Sequence, residues 1–587
     1  MLAGEANARH PGGSRGPRLD SRVGGNDGSR YQNCNCCHVR DSRRWQNLRP
    51  VDGLVCRFGV ITDESDTSVA RVCGPWLALP PLVLATLLSA AVVGIDATIV
   101  QVEVDVSSGL PGFTMVGLPD ASVRESRDRV RTAIRNSGFP FPDQRVTVNL
   151  GPADVPKIGS SFDLPIALGV LAATGIVSER AIDHTVVIGE LSLDGTIQAA
   201  RGTLPVAIAA RRAGCARVVV PANNAAEARV VGGIQTQPVA TLVAAVDALN
   251  GHELPAEAAA TSRPRTDSAI DDWGDLADVR GQALAKRALE ISAAGEHSLL
   301  LVGPPGSGKT MLARRLPGIL PPLSDEESLE STSIHSVAGL LSPGSGLLTA
   351  RPFRAPHHTI SDVALVGGGK LPRPGELSLA HNGVLFLDEM PEFDRRALEV
   401  LRQPLEEGCI RIARAARSAE FPARVLLIGA MNPCKCGYAG HPVRVCRCTP
   451  LQRDCYTGRI SGPLLDRIDL CVDVPWVPPD VLGDERPQES SAVIRERVLR
   501  ARERQAARSG ETGVRLNSLL KGRMLRRYAR LDADGRALLD AAIRRLALSG
   551  RAHDRVLRVA RTIADLAGAA DVESEHLAEA LQYRLIS

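Results

Sequence analysis

The chain has 587 residues, of which 44% are apolar and 23% are charged, and its formal net charge is +4. A chain of this length is too long for one hydrophobic core, so we expect two or three domains. The composition is typical of a soluble globular protein, and a charge this close to neutral neither requires nor excludes nucleic acid. The 13 cysteines, in a long chain without a secretory pattern, argue against a disulfide scaffold and indicate a cytoplasmic protein.

The first part of the chain, residues 1–82, is rich in Gly, Arg, Asn and Ser, which predicts a disordered leader. No residue is charged between Gly74 and Ile95, and a stretch of this length could span a bilayer. However, Pro80 and Pro81 interrupt it, and residues 90–106 continue into the alternation of a β-strand. We therefore expect a leader that runs into the first buried strand of a domain, rather than a membrane anchor.

Residues 83–251 alternate β-rich runs with Ala-rich helical stretches, which predicts a mixed α/β domain. A helix is predicted at Ala121–Ser137, and strands are predicted at Thr98–Val106, Arg145–Leu150, Thr185–Ile188 and Arg217–Val220. Residues 252–272, rich in Pro, Ala, Ser and Thr, have the composition of a linker. Residues 273–480 carry nucleotide-binding motifs, and residues 481–587 show apolar residues at helical spacing. The predicted fold class is therefore multidomain α/β with an all-helical C-terminal region.

A phosphate-binding motif of the form G-x-x-x-x-G-K-[ST] follows a predicted strand, Ser298–Val302, and opens a predicted helix, Met311–Leu316. The motif comprises Gly303, Pro304, Pro305, Gly306, Ser307, Gly308, Lys309 and Thr310. Its glycines allow backbone N–H groups to close around phosphate oxygens. Lys309 would reach the β- and γ-phosphates and the Thr310 hydroxyl would ligate Mg²⁺, so the motif predicts ATP and Mg²⁺ as cofactors.

A second apolar strand begins at Gly383 and ends in two adjacent carboxylates, Asp388 and Glu389. Asp388 would hold Mg²⁺ through water, and Glu389 would orient and deprotonate the attacking water. A further predicted strand, Arg424–Ala430, leads to Asn432, a suitable place for a polar side chain that helps to position that water. The three strands together predict ATP hydrolysis.

Five segments of the chain together closely resemble the YifB/ComM family of magnesium-chelatase-like AAA+ proteins of bacteria. They are DVRGQALAKRALEISAAGEHSLLLVGPPGSGKT, RAPHHTISDVALVGGG, GELSLAHNGVLFLDEMPEF, AMNPCKCGY and RISGPLLDRIDL. The resemblance runs from about residue 83 to the C-terminus, and it implies an AAA+ P-loop core with a helical C-terminal lid. It also implies self-association into a ring, with a hexamer as the expectation for the class. Because the resemblance begins at Val83, this residue is a candidate for the true start, read from a GTG codon.

The resemblance assigns roles to three polar residues. Asn432 resembles the sensor-1 residue, and Arg467 resembles the arginine finger that reaches a neighbour's γ-phosphate. The sensor-2 arginine is matched by Arg551 or Arg558, and Arg551 is the slightly better candidate. A cation at the transferred phosphoryl group stabilises its developing charge, and a finger that acts in trans requires an oligomer. From the residues alone, each arginine could equally form a surface salt bridge in a chain this rich in Arg.

Two N-terminal segments match the same family's first domain, which resembles the Lon protease fold. They are GLPGFTMVGLPDASVRESRDRVRTAIRNSGF and PADVPKIGSSFDLPIALGVLAATGIV. Ser161 falls on the position of the nucleophilic serine of Lon. A serine nucleophile needs a base, which is a lysine in Lon, but the matching stretch here, Arg201–Ala210, contains no lysine. We therefore do not expect peptidase activity, and we expect this domain to bind DNA or to assemble the ring.

Two C-x-C pairs lie close together after Asn432. They are Cys434 with Cys436 and Cys446 with Cys448. Four thiolates this close in sequence could bind one structural Zn²⁺ in a tetrahedral site, although C-x-C is a tighter spacing than the usual C-x₂-C. Four reduced thiols remain the alternative, and a catalytic metal is not expected here.

Two segments of the core bear on the substrate. Residues 408–417 alternate apolar residues with arginines, among them Arg411 and Arg414, which predicts a hairpin that points into the ring pore and contacts phosphates. A solvated hairpin or a subunit contact would show the same pattern. Residues 352–370, which include two adjacent histidines, are predicted to form an insertion after the second helix of the core.

Three functions fit these features. The first is a ring motor that translocates on single-stranded or branched DNA and drives branch migration in recombination or natural transformation, as the resemblance implies. The absence of a base-reading motif is consistent with sequence-independent tracking of the backbone. The second is a magnesium-chelatase-like ATPase that remodels a protein partner. The third is an ATP-dependent protease or unfoldase, which the missing lysine disfavours. We favour the DNA motor.

Overall fold

The structure, a computed structural model, describes residues 84–252, 273–369, 372–414, 417–483, 486–510, 513–546 and 549–584. The predicted leader, and the predicted linker apart from residue 252, lie outside the described residues. In the part that the structure describes, no helix is long and apolar enough to cross a membrane. The last part of the uncharged stretch, Leu84–Val93, is instead a sheet strand.

The N-terminal domain is built on a seven-stranded mixed sheet with the strand order β3-β4-β2-β1-β5-β8-β9. The strands of this domain are β1 Leu84–Val93, β2 Asp96–Ser107, β3 Gly112–Val116, β4 Arg145–Gly151, β5 Thr185–Val187, β6 Glu190–Leu191, β7 Ile197–Gln198, β8 Arg217–Pro221 and β9 Gln235–Val239. The helices are α1 Ala121–Asn136, α2 Asp163–Ala173, α3 Glu179–Ile182, α4 Thr203–Arg212, α5 Ala225–Arg229 and α6 Leu242–Leu249. Every residue of α2 is buried, which is the pattern of a helix inside a core. The four strands and the helix predicted from sequence are observed as β2, β4, β5, β8 and α1.

The central domain has a five-stranded parallel sheet with the order β11-β14-β17-β10-β18. Its strands are β10 Leu299–Val302, β11 Phe353–Arg354, β14 Gly383–Leu387, β17 Val425–Met431 and β18 Leu470–Asp473. Its helices are α7 Ala283–Gly295, α8 Lys309–Arg315, α9 Asp325–Ala338, α10 Asp362–Val366, α11 Glu376–Leu379, α12 Arg395–Glu399, α13 Arg402–Glu407, α14 Pro450–Thr457, α15 Gly462–Leu465 and α16 Pro479–Leu482. The strand that comes first in this domain, β10, lies between β17 and β18, which come fourth and fifth. The strand order therefore reverses at β10. In open α/β sheets, ligands bind beyond the carboxyl ends of the strands at such a reversal.

Two small hairpins project from this domain. They are β12 Gly367–Gly368 with β13 Arg373–Pro374, and β15 Cys409–Arg414 with β16 Arg417–Pro422. The prediction that residues 352–370 form an insertion is wrong at its start, because Phe353 and Arg354 form β11 of the core sheet. The Phe353 ring packs on Phe386 of β14, with 6.0 Å between the ring centroids, and this apolar contact holds the strand in the sheet.

The C-terminal domain is helical and packs against the core. Its helices are α17 Ser491–Ser509, α18 Gly522–Tyr528, α19 Ala533–Leu546, α20 Gly550–Ala567 and α21 Ser574–Gln582. His297, just before β10, lies 2.8 Å from the Thr562 hydroxyl of α20 and 3.3 Å from the Asp469 carboxylate. Asp469 immediately precedes β18. The helical domain therefore contacts the amino ends of β10 and β18, the sheet edge opposite the P-loop.

Several contacts join the N-terminal domain to the core, and two of them involve glycines. Gly202, at the start of α4, donates a backbone hydrogen bond of 3.1 Å to the Ser336 carbonyl of α9. Gly94, in the turn between β1 and β2, adopts a φ of +67°, and a Cβ there would lie 3.0 Å from the Glu420 carbonyl oxygen of β16. The β15–β16 hairpin is thus supported at its base by the first turn of the N-terminal domain.

Candidate functional site

The parallel sheet brings three separate segments to one edge. The carboxyl ends of β10, β14 and β17 lead into the P-loop, into Asp388 and Glu389, and into Asn432 respectively. Because neighbouring parallel strands end at the same edge, the predicted phosphate-binding, metal-binding and water-positioning residues lie together. The backbone N–H of Gly303 donates a hydrogen bond of 3.1 Å to the Met431 carbonyl, which joins the P-loop to β17.

The P-loop has the backbone geometry of a phosphate cradle. Gly306 and Gly308 have φ values of +78° and +92°, which L-residues with side chains rarely adopt. A Cβ on Gly303 would lie 2.1 Å from the Val474 carbonyl oxygen, so only glycine fits there. The buried Ser307 hydroxyl oxygen has no hydrogen-bond partner among the described residues. Buried polar groups are normally paired, so this loop fits a ligand that supplies acceptor oxygens, as a nucleotide triphosphate does.

Lys309 lies inside the cradle. Its ammonium group donates hydrogen bonds to the carbonyl oxygens of Gly303 (2.7 Å) and Pro304 (2.9 Å) and to Asn432 Oδ1 (3.2 Å). Burial lowers the pKa of Lys309, although the nearby carboxylates of Asp388 and Glu389 act in the opposite direction. Bound phosphates would stabilise the charged form of this buried amine, so nucleotide and lysine stabilise each other.

The predicted magnesium ligands are adjacent. The Thr310 hydroxyl donates a hydrogen bond of 2.7 Å to Asp388 Oδ2. A hydroxyl and a carboxylate beside a phosphate cradle form the oxygen donor set that Mg²⁺ requires, and Mg²⁺ would gain its remaining ligands from water and phosphate. The residues present therefore fit Mg²⁺·ATP.

Glu389, the predicted general base, is held in a strained backbone conformation, with a φ of +50°. Its side chain is 55% exposed and lies toward the open nucleotide edge. His358 Nδ1 lies 3.7 Å from Glu389 Oε2, and the His358 ring packs edge-on against Phe393. Sequence reasoning did not assign His358 to this site. The pair of adjacent histidines was a signal for a site here. However, the strand before them, β11, has only two residues, so its sequence shows no periodicity that would place the histidines at the sheet edge.

Asn432 is fixed from behind by α14. The buried Tyr456 hydroxyl forms a hydrogen bond with the backbone of Asn432, and burial raises the pKa of Tyr456 to about 12. The amide oxygen of Asn432 accepts a hydrogen bond from Lys309, so this side chain lies at the phosphate cradle. The sensor-1 role that the resemblance implies for Asn432 stays a prediction.

The fold does not bring the two predicted arginines to the P-loop of their own chain. Arg467 precedes β18, so it lies near the amino edge of the sheet, whereas the P-loop lies at the carboxyl edge. Arg551 is exposed on α20, one turn before Arg555, whose Nε lies 3.6 Å from Asp469 at the same amino edge. A strand of four residues spans about 13 Å, and β18 therefore separates Arg467 from the sheet edge at which the P-loop of its own chain lies.

The four predicted zinc ligands converge. The Sγ atoms of Cys434, Cys436, Cys446 and Cys448 lie within 4.8 Å of one another. Cys434 Sγ lies 3.3 Å from Cys436 Sγ and 3.6 Å from Cys446 Sγ, close to the edge length of about 3.8 Å in a tetrahedral zinc–thiolate site. The backbone N–H of Tyr438 donates to Cys436 and lowers the pKa of its thiol to about 6. The cluster therefore fits one Zn²⁺ with thiolate ligands.

His441 is not part of this donor set. Its Nδ1 accepts hydrogen bonds from the backbone N–H groups of Val443 (3.1 Å) and Arg444 (3.0 Å), which shapes the turn between the two cysteine pairs. The loop lies against the nucleotide site, since a Cβ on Gly437 would lie 2.6 Å from Pro305 Cδ of the P-loop. The loop that carries the cysteine cluster and the P-loop are thus immediate neighbours.

The predicted hairpin at residues 408–417 is observed as β15 and β16. Arg411 is 60% exposed, but it forms ion pairs with Glu407 (3.3 Å) and Glu420 (3.0 Å), so its charge is compensated within the chain. The Arg414 side chain lies outside the described side chains, although its backbone pairs with that of Arg417.

Two polar contacts are described beside Ser161, the residue at the position of the Lon nucleophile. Ser160 is hydrogen-bonded to Glu190, and the amine of the buried Lys157 donates to the Pro152 carbonyl. Leu204 is fully buried and lies in Arg201–Ala210, the stretch that matches the lysine-bearing segment of Lon. These contacts do not activate the Ser161 hydroxyl.

Comparison with known proteins gives matches along most of the chain. Residues 275–482 match the family described as magnesium chelatase, subunit ChlI, and residues 488–584 match the C-terminal part of that subunit. Residues 102–224 match a separate family described as subunit ChlI of Mg-chelatase. The three matched regions fall in the central, C-terminal and N-terminal domains.

Several relatives match nearly from end to end. The protein YifB of Salmonella typhimurium is 45% identical over 508 residues, which cover 86% of this chain and 97% of the relative. The competence protein ComM of Haemophilus influenzae is 45% identical over 505 residues, with 85% and 97% covered. The magnesium-chelatase 38 kDa subunit of Rhodobacter capsulatus is 28% identical over 335 residues, with 52% and 86% covered. A complete P-loop site within a chain related to YifB and ComM over most of its length shows that this protein belongs to the YifB/ComM family of magnesium-chelatase-like AAA ATPases.

Proposed function

We propose that this ATPase is a ring-forming motor that moves along DNA and drives branch migration during recombination or natural transformation. One observation carries the DNA part of the proposal. The register of β15 and β16 places residues 414 and 417, both arginines, directly opposite each other beside the hairpin tip. A hairpin with an arginine on each of its strands suits a partner that carries anions. A phosphate backbone supplies such anions at regular intervals to every subunit of a ring.

The base of the same hairpin is connected to the predicted arginine finger. Arg411 pairs with Glu407 at the end of α13, and the preceding residue, Glu406, pairs with Arg467. A phosphate that draws Arg411 away from Glu407 would disturb α13 and therefore the contacts of Arg467. This connection supports coupling between DNA contact and ATP hydrolysis.

The placement of Arg467 supports the ring. An arginine at the amino edge of one chain can reach a nucleotide only at the carboxyl edge of another chain. Contacts of this head-to-tail kind close into a ring when the rotation between subunits allows it, and six subunits are the expected number. The relative named as a competence protein, which aligns over 97% of its own length, supports a role in natural transformation.

A protein-remodelling ATPase of the magnesium-chelatase kind is the second candidate. It is favoured by the likeness to the 38 kDa chelatase subunit, but that likeness covers only 52% of this chain. A peptidase is disfavoured, because the stretch Arg201–Ala210 contains no lysine that could activate Ser161.

The test is ATP turnover by the purified protein with and without single-stranded, duplex and four-way-junction DNA. Stimulation by DNA that is absent in Glu389→Gln supports the motor, and the most effective DNA structure identifies the substrate. A rate of ATP turnover that none of these DNA structures changes would contradict the proposal and favour the remodelling ATPase. Parallel strand-exchange assays on four-way junctions then separate branch migration from simple translocation.

A further inference from the structure

The loop that contains the four cysteines, together with the start of α14, carries an exposed apolar surface. We call residues 443–451 the knuckle tip. Among the described residues, four large apolar side chains are at least 70% exposed, and three of them lie here. They are Val443 (70%), Val445 (86%) and Leu451 (72%). Aliphatic side chains clustered at this level of exposure mark an interaction surface more often than scattered single ones do.

The knuckle tip is held in place rather than free to fold inward. The His441 ring packs 5.6 Å from the Trp476 ring, beyond the carboxyl end of β18, and its Nδ1 accepts the backbone N–H groups of the tip. Arg444 donates a hydrogen bond of 2.5 Å to the Tyr438 hydroxyl. The cysteine cluster closes the base of the loop. These contacts hold the loop in place, and Val443 and Val445 therefore remain exposed.

The position of the knuckle tip identifies its partner. Gly437, in the same loop, lies against Pro305 of the P-loop, and Trp476 lies at the same sheet edge. In the proposed ring, this edge is where a neighbouring chain would approach for its Arg467 to reach the nucleotide. An apolar surface beside the nucleotide, surrounded by cations such as Arg444 and Arg447, has the anatomy of an interface core with a polar rim.

We propose that the knuckle tip is a docking surface for a second copy of this chain, and that it packs against the face that carries Arg467. This inference rests on the proposed ring and specifies how neighbouring subunits are held. Burying three aliphatic side chains would stabilise the contact, while the adjacent thiolate cluster fixes the loop in the shape that docks. Metal binding and ring assembly are thereby linked through one loop.

The first experiment measures assembly by light scattering in the presence of ATP, in the Glu389→Gln background that slows hydrolysis. The triple variant V443S/V445S/L451S is expected to raise the protein concentration for half-maximal assembly by about tenfold or more. The matched control is Leu110→Ser, which removes an equally exposed side chain (90%) from the N-terminal domain and is expected to assemble normally. Binding of a fluorescent ATP analogue, unchanged in the triple variant, shows that its P-loop is intact.

Normal assembly of the triple variant would overturn the proposal. Normal assembly with weakened DNA binding would also overturn it, and would make the tip a nucleic-acid contact. These outcomes do not depend on DNA-stimulated turnover, so failure of this inference is distinguishable from failure of the proposed motor.

A mixing experiment tests the pairing of the two faces. The triple variant retains Arg467 but lacks the docking surface, whereas Arg467→Ala retains the docking surface but lacks the finger. Each protein alone is expected to hydrolyse ATP poorly, and their equimolar mixture is expected to recover at least a tenth of wild-type turnover, because the first supplies Arg467 to the second. If the triple variant fails to assemble alone and the mixture stays inactive, the tip does not pair with the Arg467 face.

Discussion

Glu406 holds Arg467 in an ion pair, with 2.6 Å between Glu406 Oε1 and Arg467 Nη2. The Arg467 side chain is only 11% exposed, and it also donates hydrogen bonds to the backbone carbonyls of Arg402 (3.0 Å) and Pro463 (2.6 Å). These contacts use three of the five N–H donors of Arg467 and keep its side chain largely buried. In the proposed ring, Arg467 would have to leave Glu406 to reach a neighbour's phosphate.

The first prediction concerns this release. Arg467→Ala is expected to bind ATP normally and to lower turnover by roughly 10³-fold, because the transferred phosphoryl group loses its compensating cation. Glu406→Gln is expected to raise turnover without DNA severalfold, because the finger is freed, and to reduce further stimulation by DNA. Steady-state turnover with and without DNA measures both. Glu496→Gln, which breaks an exposed ion pair with Arg500 on α17, is the matched control. Normal turnover by Arg467→Ala would remove the finger from the mechanism.

The second prediction separates binding from chemistry at the P-loop. Lys309→Ala is expected to abolish ATP binding, because the phosphate cradle loses the buried cation that would contact the phosphates. Glu389→Gln is expected to bind ATP with near-normal affinity and to lower turnover by about 10²–10⁴-fold, since it cannot accept a proton from water. Calorimetric binding and turnover assays distinguish them. Wild-type turnover by Glu389→Gln would exclude it as the base.

The third prediction concerns His358, which lies 3.7 Å from Glu389 Oε2. His358→Ala is expected to lower kcat by roughly tenfold with little change in the KM for ATP, because a misplaced base affects the chemical step more than binding. His358→Gln, which retains a hydrogen-bond donor, is expected to recover part of the loss. A rise in KM with unchanged kcat would instead place His358 in nucleotide binding.

The fourth prediction concerns the cysteine cluster. The purified protein is expected to contain about one zinc per chain, because four thiolates at tetrahedral separations form a complete structural site. Cys446→Ser is expected to lose the metal and to lower the thermal unfolding midpoint by several degrees. Metal content by atomic absorption checks this, with the exposed Cys455→Ser as the control. Equal metal content in Cys446→Ser would place the zinc elsewhere.

The fifth prediction is a pH dependence that originates at Glu227. This carboxyl is only 3% exposed and accepts a hydrogen bond of 3.2 Å from Asn224, and burial raises its pKa to about 7. The folded state therefore binds more protons than the unfolded state between the ordinary pKa of 4.5 and about 7, so stability falls as the pH rises through this window. The free energy of unfolding is expected to be lower above this window than below it by roughly 3 kcal/mol.

Thermal unfolding midpoints measured across the same pH range check this prediction. Glu227→Gln is expected to flatten the decline, because the amide remains neutral and retains an acceptor oxygen. Glu125→Gln, an exposed position on α1, is the control and is expected to leave the slope unchanged. A slope that persists in Glu227→Gln would assign the titration to another group.

Much of this architecture was predictable, and the limits have a physical origin. An apolar strand that ends in polar residues is a strong local signal. It marks the P-loop after β10, Asp388 with Glu389 after β14, and Asn432 after β17. Parallel pairing then brings them together. The contact of His358 with Glu389 joins residues 31 positions apart through a strand of two residues, which is too short to show periodicity. The pairing of Arg411 with Glu420 depends on hairpin register, which the sequence leaves undetermined until the turn is located.

The strand β18 has a consequence for the ring as a whole. At its amino end it is preceded by Arg467, which in the proposed ring would serve the nucleotide of one neighbour, and at its carboxyl end it leads to Trp476, at the P-loop edge of its own chain. In that ring, four residues of extended backbone, about 13 Å long, would lie between two successive ATP sites. Because a β-strand hardly stretches, a shift at either end is transmitted to the other. In the proposed ring, adjacent ATP sites would therefore be mechanically linked, which favours hydrolysis in sequence around the ring over independent hydrolysis.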